Sequence, residues 1–375
     1  MLINEYRKIW NWRVLTVILV IGTVLFFSGP MSQMNLKNLP LFETVEVTVG
    51  TELREQYGKE LDAGEIEEIK IIAQEKKDQL NEKVMQAFSQ LKEAGFAFYD
   101  EFSEYMSSAD YETVMSDEFS AFEDLQWEIY DLFSWEIEEM SYYYEGIINN
   151  YEWVEDKESY VISVVPPQVV SNMRFVMEEF AQWILILVIL LVIPYLAWDN
   201  RAGVYPLIAA TKTGRKIFLK QVLVMFTSTM LLILICDVTF GVALHWITPY
   251  EPFYDCIVEN AIYDWTLTQL YTAQVVIINV AAIGMAMIVF ILSALCQTIV
   301  GMAAVMIPCW FMTTVISSSF LGRAFLKLDA GNDFWINLQA ALLSVPVQVC
   351  VVWVAVGIAL LTVLYTRKKR EDIFE

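Results

Sequence analysis

Across 375 residues the chain has one histidine, His245, and five cysteines, and none of the six lies at metal-ligand spacing from another. No metal centre is expected from such a set. Cys236, Cys309 and Cys350 fall inside long apolar runs, Cys296 lies at the end of one, and only Cys256 lies in a polar connection. That pattern gives no disulfide framework, which favours a bacterial cell membrane over an oxidising secretory route. There is no GxxxxGK[ST] loop, so the chain has no P-loop of its own for ATP and Mg. A nucleophile elbow, an HExxH pair and a histidine beside a candidate nucleophile are also missing, and no enzyme activity is expected of the chain itself. Basic residues are scarce, 24 Lys and Arg against 46 Asp and Glu, for a net charge of −22. No nucleic-acid partner is expected of this balance.

What the chain has in abundance is apolar surface: 57% of its residues are hydrophobic and the mean hydropathy is +0.46, more than an ordinary soluble protein carries. A bilayer core of about 30 Å takes roughly 20 apolar residues per helix. Six runs approach or reach that length, at about Val14–Gly29, Phe180–Trp198, Val222–Leu244, Tyr271–Leu295, Ile299–Phe320 and Leu338–Tyr365. The expected fold class is therefore an all-α membrane protein of six transmembrane helices with a large, mainly helical extracellular domain. Its expected division is an amphipathic elbow helix over 1–13, a first span over 14–29, the extracellular domain over 30–176, five spans over 177–366 and a basic tail over 367–375.

Orientation follows from the basic residues. Twelve lie on one side of the six runs: Arg7, Lys8 and Arg13, five between the second and third runs, and Arg367 to Arg370 after the last. Only Arg323 and Lys327 lie in the short connections of the other side. Both termini are expected to be cytoplasmic. The acidity belongs to one region, since Met31 to Glu179 holds 34 acidic and 10 basic residues.

In the first residues Leu2, Ile3, Tyr6, Ile9 and Trp10 recur at helical spacing between polar neighbours, as expected of a helix lying in the membrane interface. A cleaved signal peptide would need a small-x-small site, which Gly29-Pro30-Met31 does not offer. In the polar domain, PLFETVEVTVG (Pro40–Gly50) reads as extended. Ile66, Ile69, Ile72, Leu80, Val84, Phe88 and Leu91 then give a helix over Glu65–Lys92 with Gly95 as its stop. A shorter helix is expected over Phe96–Met106, and a break with an N-cap at Asp110. Apolar residues from Val114 to Tyr151 continue a helical stripe for about 60 Å at 1.5 Å per residue, so two long amphipathic helices should pack as a hairpin or small bundle. Trp127, Trp135, Tyr142, Tyr143 and Trp153 fall partly off that stripe and are the aromatics open to ligand contact, with Trp127, Trp135 and Trp153 the leading candidates. Glu136, Glu138 and Glu139 flank Trp135, a combination suited to a cationic, amphipathic peptide. Ser159–Val165 is a candidate partner for Val45–Val49 in a small sheet, and the second span's helix should begin near Gln168.

Asp237 is the one acid inside an apolar run, roughly 13 Å from the boundary at Trp246 by helical rise. An intramembrane acid is a candidate for the transport path, against the plainer reading of a hydrogen bond to a neighbouring helix.

Between the second and third runs lies DNRAGVYPLIAATKTGRKIFLKQ, Asp199 to Gln221, basic and only briefly amphipathic. Its spacing resembles the loop between the second and third spans of ABC exporter permeases of the type-2 membrane family. That pattern has an acid, a Gly four residues on, a Leu four after that, a small-residue and Thr/Ser stretch, a Gly-Arg pair and a Lys opening the next span. Here these places fall on Asp199, Gly203, Leu207, Thr211, Gly214-Arg215 and Lys220. Asp199 stands where Glu is usual, and Thr211-Lys212 where the family often has Ser-Pro. The resemblance implies that the loop is a coupling helix docking on a separate ABC ATPase subunit, with Asp199, Gly203, Leu207, Lys212, Arg215 and Lys220 as coupling residues. It also implies a second permease subunit, identical or not, in the same bilayer, with ATP and Mg held by the ATPase. The Tyr57-Gly58 turn, Leu61 and Glu67 resemble a segment in the large extracellular insertions of some Firmicute permeases of this type. Leu321 to Asn337 resembles the re-entrant outer helices of these exporters. Two other classes stay open: a membrane sensor or scaffold whose outer domain receives a ligand, and ion-coupled transport through Asp237.

Overall fold

The computed structural model describes residues 2–34, 41–109, 114, 117–152, 161–201, 217–259, 261–295, 299–326 and 357–362. The chain divides into two compact units. One comprises Met1–Asn38, Ser171–Thr248 and Asn260–Glu375; the other comprises Leu39–Val170 and Pro249–Glu259.

The first unit is built of apolar helices. Its described elements are α1 (Leu2–Ile9), α2 (Trp12–Ser28) and the short α3 (Pro30–Met34). After the other unit's elements come the long helix Pro167–Arg201, then Ile217–Ile247, Leu267–Leu295 and Ile299–Ile316, the last running into a π turn at Ser317–Leu321. Among the described residues four helical stretches are long and apolar enough to cross a membrane: Leu2–Met34, Pro167–Tyr195, Phe218–Ile247 and Leu267–Ser293. The chain is thus a mainly helical membrane protein. The fifth apolar run forms a helix whose apolar part, Ala304–Ile316, is shorter. Of the sixth run, only the helical residues 357–362 lie among those described.

Local chemistry sets the helix ends. Asn11 caps α2 by accepting from the Arg13 backbone N–H, and Gly29 closes it with an N–H donated to Leu25 O. The helix Pro167–Arg201 opens on a proline, whose missing N–H costs nothing in a first turn. It is the central helix of its unit, 78% of its most apolar window being buried where α2 with its flanks reaches 33%. Against it, α2 comes close at Gly22, where a Cβ would stand 3.1 Å from Leu187 Cδ2. Trp183 Nε1 donates across that approach to Gly22 O at 2.8 Å, the small-residue contact that membrane helices use to bring backbones together. Large apolar side chains such as Val24, Phe27, Val238, Val242, Ile307 and Phe311 stay exposed, which suits a surface solvated by lipid.

The second unit is also mainly helical. It contains α4 (Leu41–Tyr57), β1 (Glu60–Leu61), α5 (Ala63–Ala87), α6 (Ser89–Glu93), α7 (Tyr99–Ser108), α8 (Asp117–Glu138), a π segment (Glu139–Tyr144), α9 (Glu145–Glu152) and β2 (Ile162–Ser163). After β2, the long helices Pro167–Arg201, Ile217–Ile247, Leu267–Leu295 and Ile299–Ile316 are α10, α11, α12 and α13.

Several expectations change here. Pro40–Gly50 is not extended: Leu41–Tyr57 is helical, and Val45, Val49 and Leu53 form its buried stripe. Consequently β2 pairs not with Val45–Val49 but with β1, antiparallel, Glu60 opposite Ser163 and Leu61 opposite Ile162. The helix expected over Glu65–Lys92 begins at Ala63, with Asp62 and Glu65 forming a reciprocal capping box, and breaks at Phe88 before α6. Gly95, at φ +98, supplies the left-handed stop. The expected N-cap at Asp110 lies outside the described residues.

From Asp117 to Glu152 the chain stays helical but not straight. Phe133 leaves the helical region (φ −121, ψ 22), and residues 139–144 wind as a π segment. The wider winding changes which side chains face inward. Tyr143 and Tyr144 are both buried, so Tyr143 is core rather than an off-stripe ligand contact, whereas Leu132 on the expected stripe is exposed. Two cores result. One gathers Val45, Val49, Leu61, Ile66, Ile69, Met140, Tyr143, Tyr144, Ile147 and Ile162. The other gathers Leu80, Val84, Leu91, Phe102, Phe119 and Ile129, with Phe96, Phe102 and Phe122 meeting edge to face.

Candidate functional site

The sequence singles out the loop from Asp199 to Gln221, and the structure describes its two ends. Asp199 belongs to the last turns of α10 and Lys220 to the first turn of α11, where it is half-buried. Gly203, Leu207, Lys212 and Arg215 lie outside the described residues.

The helices that carry the two ends are tied to α1 and to Trp10, which follows it. Its polar and apolar residues alternate at helical spacing, which leaves Ile9 and Glu5 inward, 1% and 3% exposed. A carboxylate so deeply placed needs partners. Lys8 Nζ donates to Glu5 Oε1 at 2.9 Å, and Tyr195 Oη of α10 donates to Glu5 Oε2 at 3.0 Å. On the other side, Tyr6 Oη lies 2.7 Å from Thr227 Oγ1 of α11, and Trp10 Nε1 donates to Ser228 Oγ at 2.9 Å. An eight-residue amphipathic helix is thus hydrogen-bonded to both helices that carry the loop. A further tie comes from α12, where Ser293 Oγ donates to Ile193 O at 2.6 Å, beside the kink-prone Pro194. The helix itself was legible in the sequence; that its glutamate is the buried member was not, because Glu5 reads as solvated until Tyr195 is placed against it.

Asp237 sits on α11 facing α12. Asn279 Nδ2 donates to Asp237 Oδ2 at 2.8 Å, while Asp237 Oδ1 and Asn279 Oδ1 are buried with no hydrogen-bond partner. Near it, Phe240 stacks on Phe180 of α10 with ring centroids 4.0 Å apart. The acid therefore joins two helices through one good hydrogen bond and keeps spare acceptor capacity. Asn279 gave no signal in the sequence, since a lone amide in an apolar run acquires meaning only once the helix pairing is known.

In the second unit, Trp127 is exposed and Trp135 partly so, at 62% and 38%; Trp153 lies outside the described residues. The acids beside Trp135 already have partners within the chain. Lys83 Nζ donates to Glu136 at 3.0 Å, Lys76 pairs with Glu139, and Tyr130 Oη donates to Glu138. Glu138 and Glu139 are buried. The negative charge next to Trp135 is thus largely spent on holding α5 against α8 and the π segment. Tyr143, wholly buried, has its hydroxyl pushed well above the ordinary phenol range by desolvation and then by Glu46, and donates as a neutral group to Val164 O at 3.3 Å.

One ionic cluster was missed by sequence reasoning. Asp255, in the connection between α11 and α12, accepts from Arg54 Nη2 at 3.0 Å and Lys59 Nζ at 2.7 Å. Hydrogen bonds from Lys59 and Arg54 hold its carboxyl down at about 2. Nearby, Glu259 Oε1 accepts from the Ser163 backbone N–H at 2.7 Å. These contacts explain why Pro249–Glu259 belongs to this unit although about ninety residues separate it from β2. Among the described residues no three acidic, histidine or cysteine side chains converge as a metal site, and Cys236, Cys256 and Cys309 are free and buried. The chain matches no family model, no curated protein and no solved structure.

Proposed function

We propose that the chain is the membrane-spanning subunit of an ABC exporter, driven by a separate ATPase subunit that docks on the loop from Asp199 to Gln221. In this reading six helices cross the bacterial cell membrane, both termini are cytoplasmic, the second unit is extracellular, and two such subunits form the translocation path. The observation that supports it most is the brace made by α1. A partner pushing on a short loop moves helices only if the loop's ends are stiff, and Glu5–Tyr195 on one side with Tyr6–Thr227 and Trp10–Ser228 on the other tie both ends to one element. Hydrogen bonds between membrane helices average about 0.6 kcal/mol and reach about 1.7 kcal/mol, so three of them couple the ends appreciably without locking them. Asp199, Gly203, Leu207, Lys212, Arg215 and Lys220 are then the docking face, with Arg215 and Lys212 supplying charge.

Asp237 is the polar point on the transport path in this reading, and the substrates are amphipathic. Capture of cationic antimicrobial peptides by the outer unit rests on exposed Trp127 and Trp135 more than on Glu136, Glu138 and Glu139, whose charges are engaged.

The test is a photo-crosslinker placed at Arg215 in the native membrane, followed by mass spectrometry of the adduct. An adduct with a P-loop ATPase is expected. An adduct with a kinase or other regulator, as a sensor or scaffold would give, overturns the proposal.

A further inference from the structure

Four charged side chains stand at one end of the membrane unit. Arg174, Glu178 and Glu179 stand on α10, and Arg323 on the turn after α13. Gly322 lets that turn touch α10 directly: a Cβ there would lie 2.7 Å from Glu178 Cβ and 3.1 Å from Arg174 O. From its other side the turn is held by Gln274 Nε2 donating to Ala324 O at 3.0 Å and by Ile262 N–H donating to Phe325 O at 2.8 Å. Phe325 adopts φ +66 there, a left-handed conformation that a bulky residue keeps only when its surroundings impose it.

The charges are not balanced locally. Arg174 and Arg323 lie close enough to act on each other, and both act on Glu178. Each guanidinium has a buried Nε–H with no acceptor. Glu179 is the opposite case. Its Oε2 lies 2.7 Å from where a Cβ of Gly29 would be, at the C-terminal end of α2. Backbone carbonyls make that end negative, and the side-chain charge acting on Glu179 is the like charge of Glu178. Two guanidiniums, each with an unaccepted Nε–H, therefore share one helix end with Glu179, a carboxylate on which no cation acts among the described residues.

Beside this cluster, an apolar groove of about 410 Å³ opens between α2, α10 and α13, lined by Ile21, Leu25, Ile186, Leu190, Met306 and Trp310 among others. Its volume falls in the range of about 300–1,000 Å³ usual for ligand sites. Glu178, Gln182 and Ile186 follow one another at four-residue steps on α10, so the groove starts about 12 Å from Glu178 by helical rise. Gln182 Nε2, donating to Thr314 Oγ1 at 3.2 Å, marks the passage between the charged and apolar parts.

We propose that this is a binding site for one membrane phospholipid bearing both a phosphate and a primary ammonium group. The phosphate accepts from the free N–H groups of Arg174 and Arg323, whose forked geometry suits it. The ammonium donates to Glu179, and one acyl chain fills the groove. An anionic headgroup alone leaves Glu179 uncompensated, and a quaternary ammonium cannot donate a hydrogen bond to it. The site is independent of any ATPase partner.

The experiment is native mass spectrometry of the purified, delipidated full-length chain, titrated with phosphatidylethanolamine, phosphatidylglycerol and phosphatidylcholine of matched chains, and with inorganic phosphate. Phosphatidylethanolamine should be retained on the order of tenfold better than the other two lipids, a factor corresponding to one charge-assisted contact. Inorganic phosphate, lacking a chain, should not be retained. Glu179→Gln, nearly isosteric, should abolish the preference for phosphatidylethanolamine over phosphatidylglycerol while leaving lipid binding. Arg323→Gln should weaken both of those lipids, and Leu190→Trp, which fills the groove, should weaken all three. Unchanged thermal unfolding in detergent identifies the variants that retain the fold. Equal retention of the three lipids by the wild-type chain, a preference that survives Glu179→Gln, or phosphate bound as well as lipid, overturns the proposal.

Discussion

Asp237 shows how one residue in an apolar helix depends on its partner. Among the described residues its donor is the Asn279 amide, and Oδ1 of both residues stays buried and unbonded. Removing the donor alone leaves a carboxylate in the bundle without compensation, whereas removing both members leaves an apolar contact. Asn279→Leu is therefore expected to destabilise the protein by about 1 to 3 kcal/mol. The double variant Asp237→Leu/Asn279→Leu should lose less than Asn279→Leu alone. Thermal unfolding in detergent measures both; a double variant less stable than the single one contradicts the account. The acid was legible in the sequence as an anomaly, since nothing else charged occurs in the apolar runs around it. Its partner was not, because helix pairing is a property of the fold.

At the scale of elements, α4 shows where sequence periodicity misleads. Val45, Val47 and Val49 alternate with polar residues and are β-branched, which reads as a strand. The same residues also satisfy a helical stripe through Val45, Val49 and Leu53, and burial in the core with Ile66, Met140 and Tyr144 decides for the helix. Tertiary packing overrides a local preference of a few tenths of a kcal/mol per residue, about the span of intrinsic propensities. The helices α5 and α8 were legible because their apolar spacing persists for many turns. The π segment at residues 139–144 was not, since extra winding leaves no compositional mark. Another unforeseen link between elements is the clasp of Asp255 by Arg54 and Lys59, which holds the α11–α12 connection to the end of α4. The folded carboxyl titrates at about 2 against about 3.9 in an unfolded chain. Its contribution is therefore fully present above about pH 4 and is lost as the pH falls through about 2. Cleavage of the 249–259 connection by pepsin should rise over that interval. Asp255→Asn should be cleaved readily at pH 4 and show no further step; a variant as resistant as the wild type at pH 4 contradicts the clasp.

For the whole molecule, the membrane character was legible from composition, and the described helices Pro167–Tyr195, Phe218–Ile247 and Leu267–Ser293 fall on expected spans. The asymmetry of twelve basic residues against two sets the expected orientation. Single-cysteine variants test it: an impermeant thiol reagent applied to intact cells should label Ser108→Cys and not Thr213→Cys, and the reverse pattern contradicts the topology. The candidate coupling loop was legible only through spacing, because an inner loop rich in Lys and Arg is common to membrane proteins of many kinds. What distinguishes a docking element is that chemistry elsewhere depends on it. The direct measurement is ATP hydrolysis by this chain reconstituted in lipid with the ATPase subunit proposed to dock on it, for wild type, Gly203→Pro and Arg215→Glu. The account predicts that both variants insert and assemble as the wild type does but lose substrate-stimulated hydrolysis. Hydrolysis unchanged in both would contradict the assignment of Asp199–Gln221 as the coupling element.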